Sequence, residues 1–524
     1  MAVQPSERRR GAIEAPARWD RWGLRLVAAL GGAALALAFP EPGVWWFAYV
    51  GLVPVLALVS MASDRREALW RCWSAGCGFF VVLYHWLMPN LSVFAVPLVL
   101  ATGLAWLPWG LVAWWLLRAP RSSGRAAAAI VAVPSAWVLV EYVRAWERLG
   151  GSWGLLGSTQ WQVRPVLATA AVGGVWALSF LLVAFSTALA VVVIPGVGTW
   201  MRVGAGAAAA LLVGGAVAYG LGRPDPDVAG TLRVGGVQSG VVHDRRERLA
   251  AHEDMTRELA ATDTDVVVWG QSSLGFDPES EGWARERVLA LARKLDRPLL
   301  VNVDARGPDG RISKTMVVVR PDGLAETYTK QRLVPFGEYI PLRPLFGWVE
   351  RFTEAAEEDR SPGTDLISFT VGGARVGPLI SYESTFPDMR RTHARAGVDL
   401  TLVQAAATTF QGTWALPQQA SFEAVRAVES GRPAVLVAVS GTSAAFDARG
   451  RRLAWVDQDE TGAWTVEVPL SREDTLFVRW GDWVPAACLV VVLATVVAAA
   501  APRPAPARRF GPAGSGSRWP GPGP

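Results

Sequence analysis

The chain has 524 residues, is 51% hydrophobic and only 19% charged, and contains 26 tryptophans. A soluble enzyme of this length carries more charge, so the composition excludes a purely water-soluble protein. The net charge of +5 is weak evidence for a nucleic-acid partner, and we expect none, because most of the excess is arginine in short loops between apolar segments.

Eight apolar segments are predicted to cross a membrane, because a spanning helix needs roughly 20 mostly apolar residues. The first is short and follows Arg8, Arg9 and Arg10, as a signal peptide would. We interpret it as a helix, since six more segments follow it before residue 222 and no small-residue cleavage motif is evident. The predicted helices are Trp22–Phe39, Val44–Met61, Trp70–Met88, Leu91–Leu117, Ala126–Trp146, Val166–Val193, Val203–Leu221 and Trp483–Ala501.

Arginines are concentrated in alternate loops between these segments, and short loops rich in Lys and Arg stay in the cytoplasm. The intervening loops are poorer in arginine, with Arg148, Arg164 and Arg223 as exceptions. This bias predicts that the segment 222–482 lies outside the cytoplasm. The arginines assigned to the cytoplasmic side are Arg8, Arg9, Arg10, Arg65, Arg66, Arg71, Arg118, Arg121, Arg125, Arg202, Arg503, Arg508 and Arg509.

Residues 222–482 are more polar, and short apolar runs there alternate with amphipathic stretches. Such alternation is typical of a layered α/β domain. The predicted strands are Leu232–Val237, Val266–Trp269, Leu299–Val303, Met316–Val319, Val376–Ile380, Leu400–Val403 and Ala434–Val439, and the predicted helices are Asp244–Ala261, Glu281–Lys294 and Pro417–Ser430.

The chain is therefore predicted to have five parts. Residues 1–21 form a cytoplasmic N-terminus, residues 22–221 a membrane domain of seven helices, and residues 222–482 the α/β domain. Residues 483–501 form an eighth helix. The cytoplasmic tail, residues 502–524, is rich in Pro and Gly and is predicted to be disordered.

The polar domain offers no metal or cofactor site, and we expect the protein to need neither. The three cysteines, Cys72, Cys77 and Cys488, all lie in predicted membrane helices. The four histidines show no metal-ligand spacing such as HExxH.

One pair of charges lies inside a predicted membrane helix. Glu141 and Arg144 are three residues apart and can meet on one helix face. We favour a structural ion pair near the membrane interface, although charges within a membrane are often functional. The Gly- and Trp-rich loop that follows, Gly150–Trp161, is a candidate entry point for lipid.

The most specific motif is YTKQRLVPFGEYIP, Tyr328–Pro341, which combines a lysine, a Pro-Phe-Gly turn and a glutamate. With the seven-plus-one helix layout, this motif resembles the apolipoprotein N-acyltransferases, a membrane branch of the nitrilase (carbon–nitrogen hydrolase) superfamily. RAVESGRP at Arg426–Pro433 and TLFVRWGDW at Thr475–Trp483 agree with the resemblance. It implies a multi-pass α-helical domain in a bacterial inner (cytoplasmic) membrane, with an inserted nitrilase-like αββα domain outside the cytoplasm.

The resemblance also implies a two-step acyl transfer. In the family, a cysteine thiolate attacks a phospholipid ester to form a thioester, and the α-amine of a diacylglyceryl-cysteine lipoprotein then takes the acyl chain. A glutamate base removes the thiol proton, and a lysine ammonium stabilises the oxyanion. The implied partners are therefore membrane phospholipid and diacylglyceryl lipoprotein.

Four site residues are assigned by matching single residues of the family motifs to this sequence. The family lysine matches Lys330, and the glutamate of the Phe-Gly-Glu-Tyr turn matches Glu338. The Tyr-Glu pair that follows the nucleophile matches Tyr382 and Glu383.

The two remaining catalytic positions depart from the family pattern. Ser381 stands where the nucleophilic cysteine is expected, and Gln271, in WGQSS, stands where the glutamate base is expected. An amide cannot accept and return a proton at neutral pH, and a serine hydroxyl is far less acidic than a thiol, whose pKa is about 8.5. Further departures are at Lys314–Thr315, Ala406–Phe410 and Gln419.

Three interpretations stay open. In the first, the protein is an active acyltransferase in which Ser381 attacks and Glu338 or Glu383 acts as the base. In the second, it is a catalytically degenerate homologue that binds lipid or lipoprotein, or that scaffolds a membrane partner such as a polyprenyl-phosphate sugar synthase. Lys330 would then simply stabilise the fold by pairing with a glutamate. The two substitutions favour the second interpretation, and a third, amidase-like hydrolysis, suffers from the same missing thiol.

Overall fold

The computed structural model describes residues 18–119, 122–307, 309–351, 358–500 and 523. The N-terminal arginines and Arg121 lie outside these residues, as does the predicted disordered tail except for Gly523. The described chain forms a bundle of apolar helices, then an α/β domain, then one closing helix.

The helical bundle precedes the α/β domain and is formed by the described residues between 18 and 222. Its helices are α1 (Arg18–Ala36), α2 (Phe47–Val50), α3 (Leu52–Ser60), α4 (Arg65–Leu83), α5 (Met88–Leu91), α6 (Ala95–Gly103), α7 (Trp106–Leu117), α8 (Ser123–Arg144), α9 (Arg164–Leu167), α10 (Ala170–Val193) and α11 (Thr199–Gly222).

Five helical spans among the described residues are long and apolar enough to cross a membrane, namely His85–Leu117, α8, α10, α11 and the closing helix Trp483–Ala500. The pair α2 and α3 forms a shorter apolar stretch. The helices α1 and α4 are less apolar because each carries four charged residues within its first eight positions. All eight predicted membrane segments contain helix, and the crossing of the membrane by α1, by α4 and by the shorter α2–α3 stretch stays a prediction.

Helix α10 is broken near its start, and the break joins the bundle to the α/β domain. Gly173 and Gly174 have non-helical backbone angles, and Gly174 has a φ of +68°, which glycine adopts without strain. A Cβ at Gly174 would lie 2.7 Å from Phe477. The buried Val175 N–H donates to Glu429 Oε1 at 2.6 Å. An acidic side chain of the α/β domain thus caps the continuing part of a membrane helix.

The α/β domain contains twelve strands in the described residues, arranged as two six-stranded sheets. The sheet orders are β12-β1-β2-β3-β4-β5 and β11-β10-β9-β8-β7-β6. The strands are β1 (Thr231–Gln238), β2 (Val266–Trp269), β3 (Leu299–Arg306), β4 (Ile312–Arg320), β5 (Gly323–Thr329), β6 (Phe369–Val371), β7 (Ala374–Ile380), β8 (Leu400–Ala405), β9 (Ala434–Ala438), β10 (Ser443–Phe446), β11 (Arg452–Val456) and β12 (Gly462–Pro469).

The two sheets pack face to face, and helices cover their outer faces. Val268 and Leu300 of the first sheet share one apolar core with Val376 and Leu402 of the second. The expected αββα layering is therefore what the chain forms. The helices are α12 (Arg245–Glu258), α13 (Gly282–Leu295), α14 (Arg343–Phe346), α15 (Pro387–Arg395), α16 (Ala415–Ser430) and α17 (Leu476–Trp480), followed by α18 (Trp483–Ala500).

Helix α16 joins the sandwich to the membrane helices. Its residues Ala420 and Val425 share an apolar core with Val138 of α8 and with Val175 and Trp176 of α10. Every residue of α16 is buried, which is unusual for a helix on the outside of a sandwich. The second sheet is thereby held against the bundle, and the ends of its strands face the helices.

Candidate active site

Ser381 is the first residue after β7, at the end of a buried strand. Its φ is +51°, in the left-handed region that a side-chain-bearing residue adopts only at a cost. No hydrogen bond to its hydroxyl is formed by any described residue. Strand β7 pairs with β8 in parallel, so Ser381 lies level with the end of β8. A strained backbone at the end of a strand is common at functional sites.

Gln271 reaches the same end of the sandwich from the other sheet. It follows β2, and its backbone N–H donates to the Ala405 carbonyl at 3.0 Å, at the end of β8. The intervening Gly270 has no room for a side chain, since a Cβ there would lie 2.3 Å from the Val439 nitrogen. The Gln271 side chain is buried, and its Oε1 has no hydrogen-bond partner among the described residues. The amide oxygen of Gln271 is therefore a buried acceptor that no described donor satisfies.

Lys330 and Glu338 form a buried ion pair in the motif that carried the family resemblance. The Lys330 ammonium donates to Glu338 Oε2 at 2.7 Å, and the same oxygen accepts the Val334 N–H at 2.9 Å. The left-handed Phe336 turns the chain back so that the glutamate meets the lysine. Burial raises the pKa of Glu338, but the Lys330 charge and these hydrogen bonds outweigh it, so the pKa is lowered. Glu338 is therefore an ionised carboxylate at neutral pH.

Glu383 is fully buried two residues beyond Ser381 and is surrounded by donors. Its carboxylate accepts the backbone N–H groups of Gln331 (2.7 Å), Arg332 (3.1 Å) and Ile380 (2.8 Å), and the Tyr328 hydroxyl at 2.9 Å. Burial raises the pKa of Glu383, against the opposing effect of these N–H donors and of Lys330. Because its bonds join β5, β7 and the lysine turn, Glu383 fixes the positions of Lys330 and Ser381 relative to each other.

A second buried lysine, Lys314, lies beside Gln271 and was not among the site residues predicted from the sequence. Its ammonium donates to Ser272 Oγ at 2.5 Å and pairs with Asp304 Oδ1 at 2.5 Å. Ser272 has a φ of +55°, and its N–H donates to Asn302 at 2.8 Å. Burial lowers the pKa of Lys314, and the Asp304 charge opposes that effect. The chain has only three lysines, and two of them are buried here. The scarcity of lysine was the signal in the sequence that could have identified Lys314 as a site residue.

Ser381 lines an apolar cavity of about 770 Å³ between the membrane helices and the sandwich. The sandwich contributes Phe336, Tyr382 and Gln419, and the bundle contributes apolar side chains of α6, α7 and α8. The volume lies within the range of roughly 300–1,000 Å³ that ligand sites occupy. An apolar cavity that opens onto a polar strand end suits a molecule with an acyl chain and an ester.

Tyr382 connects this site to the loop that follows α8. Its hydroxyl donates to the Glu147 carbonyl at 3.1 Å, and Gly151 passes so close that a Cβ would lie 2.4 Å from that hydroxyl. Burial raises the pKa of Tyr382 well above its ordinary value, so the phenol stays protonated. The loop Gly150–Trp161 therefore packs against the residue next to the candidate nucleophile.

The expected ion pair between Glu141 and Arg144 is not formed, and this expectation was wrong. Glu141 Oε1 accepts the Leu156 N–H at 2.7 Å, and Arg144 donates to the carbonyls of Trp153 (2.5 Å) and Gly154 (3.0 Å). The loop backbone outcompetes the neighbouring side chain because its buried N–H and C=O groups need partners. The two charges hold the loop against the end of α8.

Two family models match the chain, one for each of its two structural parts. Residues 31–188 match the apolipoprotein N-acyltransferase N-terminal domain. Residues 232–476 match carbon–nitrogen hydrolase. The first match covers most of the bundle and the second covers the two-sheet sandwich, which is therefore nitrilase-like.

Curated relatives match nearly the whole chain. An apolipoprotein N-acyltransferase of Geobacter metallireducens is 30% identical over 515 residues, covering 91% of this chain and 95% of the relative. Apolipoprotein N-acyltransferases of Gloeobacter violaceus and Pseudomonas aeruginosa are 28% and 27% identical, covering 90% and 94% of this chain. They are themselves covered over 93% and 98% of their lengths.

Solved structures match about half of the chain. An amidase from Nesterenkonia, of the nitrilase superfamily, is 20% identical with a TM-score of 0.35, and the match covers 47% of this chain and 92% of the amidase. A second amidase structure from Nesterenkonia is 19% identical with a TM-score of 0.35, over 49% of this chain and 94% of the amidase.

Proposed function

The chain belongs to the apolipoprotein N-acyltransferase family, and we propose that it transfers an acyl chain from a membrane phospholipid to the N-terminal amine of a diacylglyceryl lipoprotein through Ser381. Membership in this bacterial family and the apolar helices make it an inner-membrane protein. The observation that carries the proposal is the placement of Ser381, a left-handed residue at a strand end on the wall of the apolar cavity.

In the first step, Ser381 Oγ attacks the carbonyl carbon of a phospholipid ester whose acyl chain occupies the cavity. A bond forms between the serine oxygen and the acyl carbon, and the bond from that carbon to the glycerol oxygen breaks. The lysophospholipid leaves with the serine proton. Lys330 keeps two N–H donors beyond the one bound to Glu338, so its ammonium supplies positive charge for the developing oxyanion.

In the second step, the neutral N-terminal amine of the lipoprotein attacks the carbonyl carbon of the acyl-serine ester. The new carbon–nitrogen bond forms as the carbon–oxygen bond to Ser381 breaks. One amine proton returns to Ser381 Oγ, and the product is an N-acylated lipoprotein. The apolar walls of the cavity favour lipid over water as its occupant, which limits hydrolysis of the ester.

Proton transfer limits the rate of this site. No described residue hydrogen-bonds to Ser381 Oγ, and the Gln271 amide cannot act as a base. Glu338 and Glu383 are already bound to Lys330 and to backbone N–H groups. A positioned general base contributes roughly 10²–10⁴-fold, so we expect turnover to be lower by about that factor than in a Cys–Glu site.

The sandwich is assigned to the outside of the cytoplasm in this proposal. Support comes from Arg65 and Arg66 at the start of α4 and from Arg118 after α7, which mark the opposite end of the bundle. Lipoprotein and phospholipid would then reach the cavity from the outer leaflet, beside the loop Gly150–Trp161.

A second candidate function is binding of lipid or lipoprotein without turnover, including the scaffolding of another membrane protein. The observation that favours it is the buried, unpartnered Gln271 Oε1 at the position of the expected base. This candidate predicts a filled cavity and an unmodified Ser381.

The test uses the full-length protein in nanodiscs with phosphatidylethanolamine and a synthetic diacylglyceryl-cysteine peptide. Mass spectrometry follows N-acylation of the peptide and the mass of the tryptic peptide that carries Ser381. Acyl transfer predicts an acyl-oxygen ester on Ser381 and an N-acylated product, both absent from Ser381→Ala. If peptide and lipid bind with equal affinity to wild type and Ser381→Ala and no product forms over days, the binding function replaces the proposal.

A further inference from the structure

A second cavity, of about 690 Å³, lies where the bundle meets the sandwich and shares no lining residue with the cavity at Ser381. Its walls are the start of α9, the end of α11 and the turn between β10 and β11. Four arginines line it: Arg164, Arg223, Arg449 and Arg451. We name these residues the arginine cluster.

Two members of the arginine cluster are buried and share one carboxylate. The side chains of Arg223 and Arg449 are 6% and 9% exposed. Arg223 Nη2 binds Glu473 Oε1 at 2.8 Å, and Arg449 Nη1 binds Glu473 Oε2 at 2.9 Å. Glu473 therefore neutralises only one of two buried guanidinium charges.

Donor groups are left unsatisfied around this shared carboxylate. Arg223 Nη1 and Arg449 Nε are buried without a hydrogen-bond partner in the described chain. A buried donor without a hydrogen-bond partner is destabilising, and more so when it carries a charge. Burial lowers the pKa of Arg449 and the positive charge of Arg223 lowers it further, against the opposing charges of Glu473 and Asp225.

The charges facing the cavity leave a positive excess. Arg451 pairs with Asp225 and lies 3.7 Å from Asp447. Arg164 is exposed and forms no hydrogen bond or ion pair with a described residue. The four guanidinium groups therefore have three carboxylates beside them, Glu473, Asp225 and Asp447, and one positive charge is not compensated.

We propose that the arginine cluster binds a phosphate group. Guanidinium groups match phosphate oxygens with two parallel N–H donors, and a doubly liganded phosphate would satisfy both Arg223 Nη1 and Arg449 Nε. The cavity lies at the end of the apolar helix α11, where Leu221 is exposed and Trp45 lines the opposite wall. A phospholipid headgroup and a free phosphate compound share this chemistry and are distinguished by experiment.

The experiment measures thermal unfolding of the detergent-solubilised full-length protein against added inorganic phosphate, sn-glycerol 3-phosphate and dihexanoyl phosphatidylglycerol at constant ionic strength. The variant Arg164→Gln removes the exposed, unpaired guanidinium with little risk to the fold, and Arg449→Lys keeps a buried charge but loses the planar fork. Arg293→Gln, on the surface of α13, is the matched control for charge.

We expect at least one of the three probes to stabilise wild type and Arg293→Gln. Arg164→Gln and Arg449→Lys should need at least a tenfold higher concentration of that probe for the same stabilisation. A lipid response at tenfold lower concentration than phosphate assigns the site to a headgroup, and equal responses assign it to free phosphate. Since the cavity at Ser381 is the same in all four proteins, lipid bound there does not change the comparison. No response beyond that to chloride, or equal responses from Arg164→Gln and wild type, would overturn the proposal.

Discussion

The Lys330 ammonium lies 2.7 Å from Glu338 Oε2, and both side chains are buried in the turn after β5. The pair has two consequences, one for the proposed reaction and one for the stability of the fold. It holds a buried positive charge, which in the proposed reaction stabilises the oxyanion. It also makes the site costly to alter, because either partner alone would leave a buried charge uncompensated.

We expect Lys330→Met to destabilise the protein by about 3–5 kcal/mol, the typical cost of breaking a buried pair. The double variant Lys330→Met with Glu338→Gln should lose less than the sum of the two single variants, since neither buried charge is then left alone. Guanidinium titration of the solubilised protein, read by tryptophan fluorescence, measures the free energy of unfolding of each variant. Lys294→Met, at an exposed lysine of α13, is the control and should change little.

Glu338 also gives the pair a defined dependence on pH. Its pKa in the folded protein is lowered below the ordinary value of 4.5, so its stabilising effect is present above about pH 4.5 and is lost as the pH falls through the folded pKa. Glu338→Gln resembles the protonated acid at every pH. The difference in melting temperature between wild type and this variant should therefore be full at pH 7 and vanish in acid, whereas Glu286→Gln, exposed on α13, should show no such trend.

The left-handed backbone at Ser381 predicts that glycine is better tolerated there than alanine. A side chain at φ +51° costs roughly 1–2 kcal/mol, and the greater flexibility of glycine in the unfolded chain offsets part of this. Ser381→Gly should therefore melt at a higher temperature than Ser381→Ala, although both lack the hydroxyl. The order should be reversed at Ser421, within α16, where glycine is the worse helix former; the same order at both positions would contradict the strain.

Hydrophobic patterns predicted most strands that are buried on both faces, although the fully buried β10 was missed, and they did not predict the partly buried β5 and β12. The run Val266–Trp269 was predicted with its observed bounds because every residue of β2 is buried. Strand β5, GLAETYT, and strand β12, GAWTVEVP, alternate apolar with polar residues and are only partly buried. Their sequences resemble loops as much as strands. They form strands because β5 pairs with β4 and β12 pairs with β1.

The candidate site residues were predicted from motifs, but their hydrogen-bond partners were not. The donors to Glu383 include N–H groups at Gln331 and Arg332, more than 50 residues earlier, and no local pattern predicts such contacts. The sequence indicated that Lys330 could pair with a glutamate, but it did not distinguish Glu338 from Glu383. The loop carbonyls that bind Arg144 likewise come from beyond its own helix, so helix spacing alone gave the wrong partner.

Filling the cavity beside Ser381 should weaken binding of the acyl donor without disturbing the site's charges. Ala406 lines the cavity and is partly exposed, so Ala406→Trp places an indole in the space proposed for the acyl chain. We expect at least tenfold weaker binding of a fluorescent phosphatidylethanolamine, with an unchanged melting temperature. Ala261→Trp, at an exposed position after α12, adds the same side chain outside the cavity and should bind as wild type does; equal loss in both variants would locate the lipid elsewhere.

Restoring a thiol and a carboxylate should reveal how much of the site is intact. Ser381→Cys alone supplies a more acidic nucleophile without a base, and Gln271→Glu alone supplies a base to a hydroxyl. Together they should raise the N-acylation rate of a diacylglyceryl peptide by roughly 10²–10⁴-fold, the usual contribution of general-base catalysis, because Lys330 and the cavity are already in place. Single-turnover assays in nanodiscs measure the rate, and Ser381→Cys with Gln271→Ala controls for the thiol. A double variant that binds both substrates but stays as slow as wild type would mean that the remaining geometry, and not proton transfer, limits this protein.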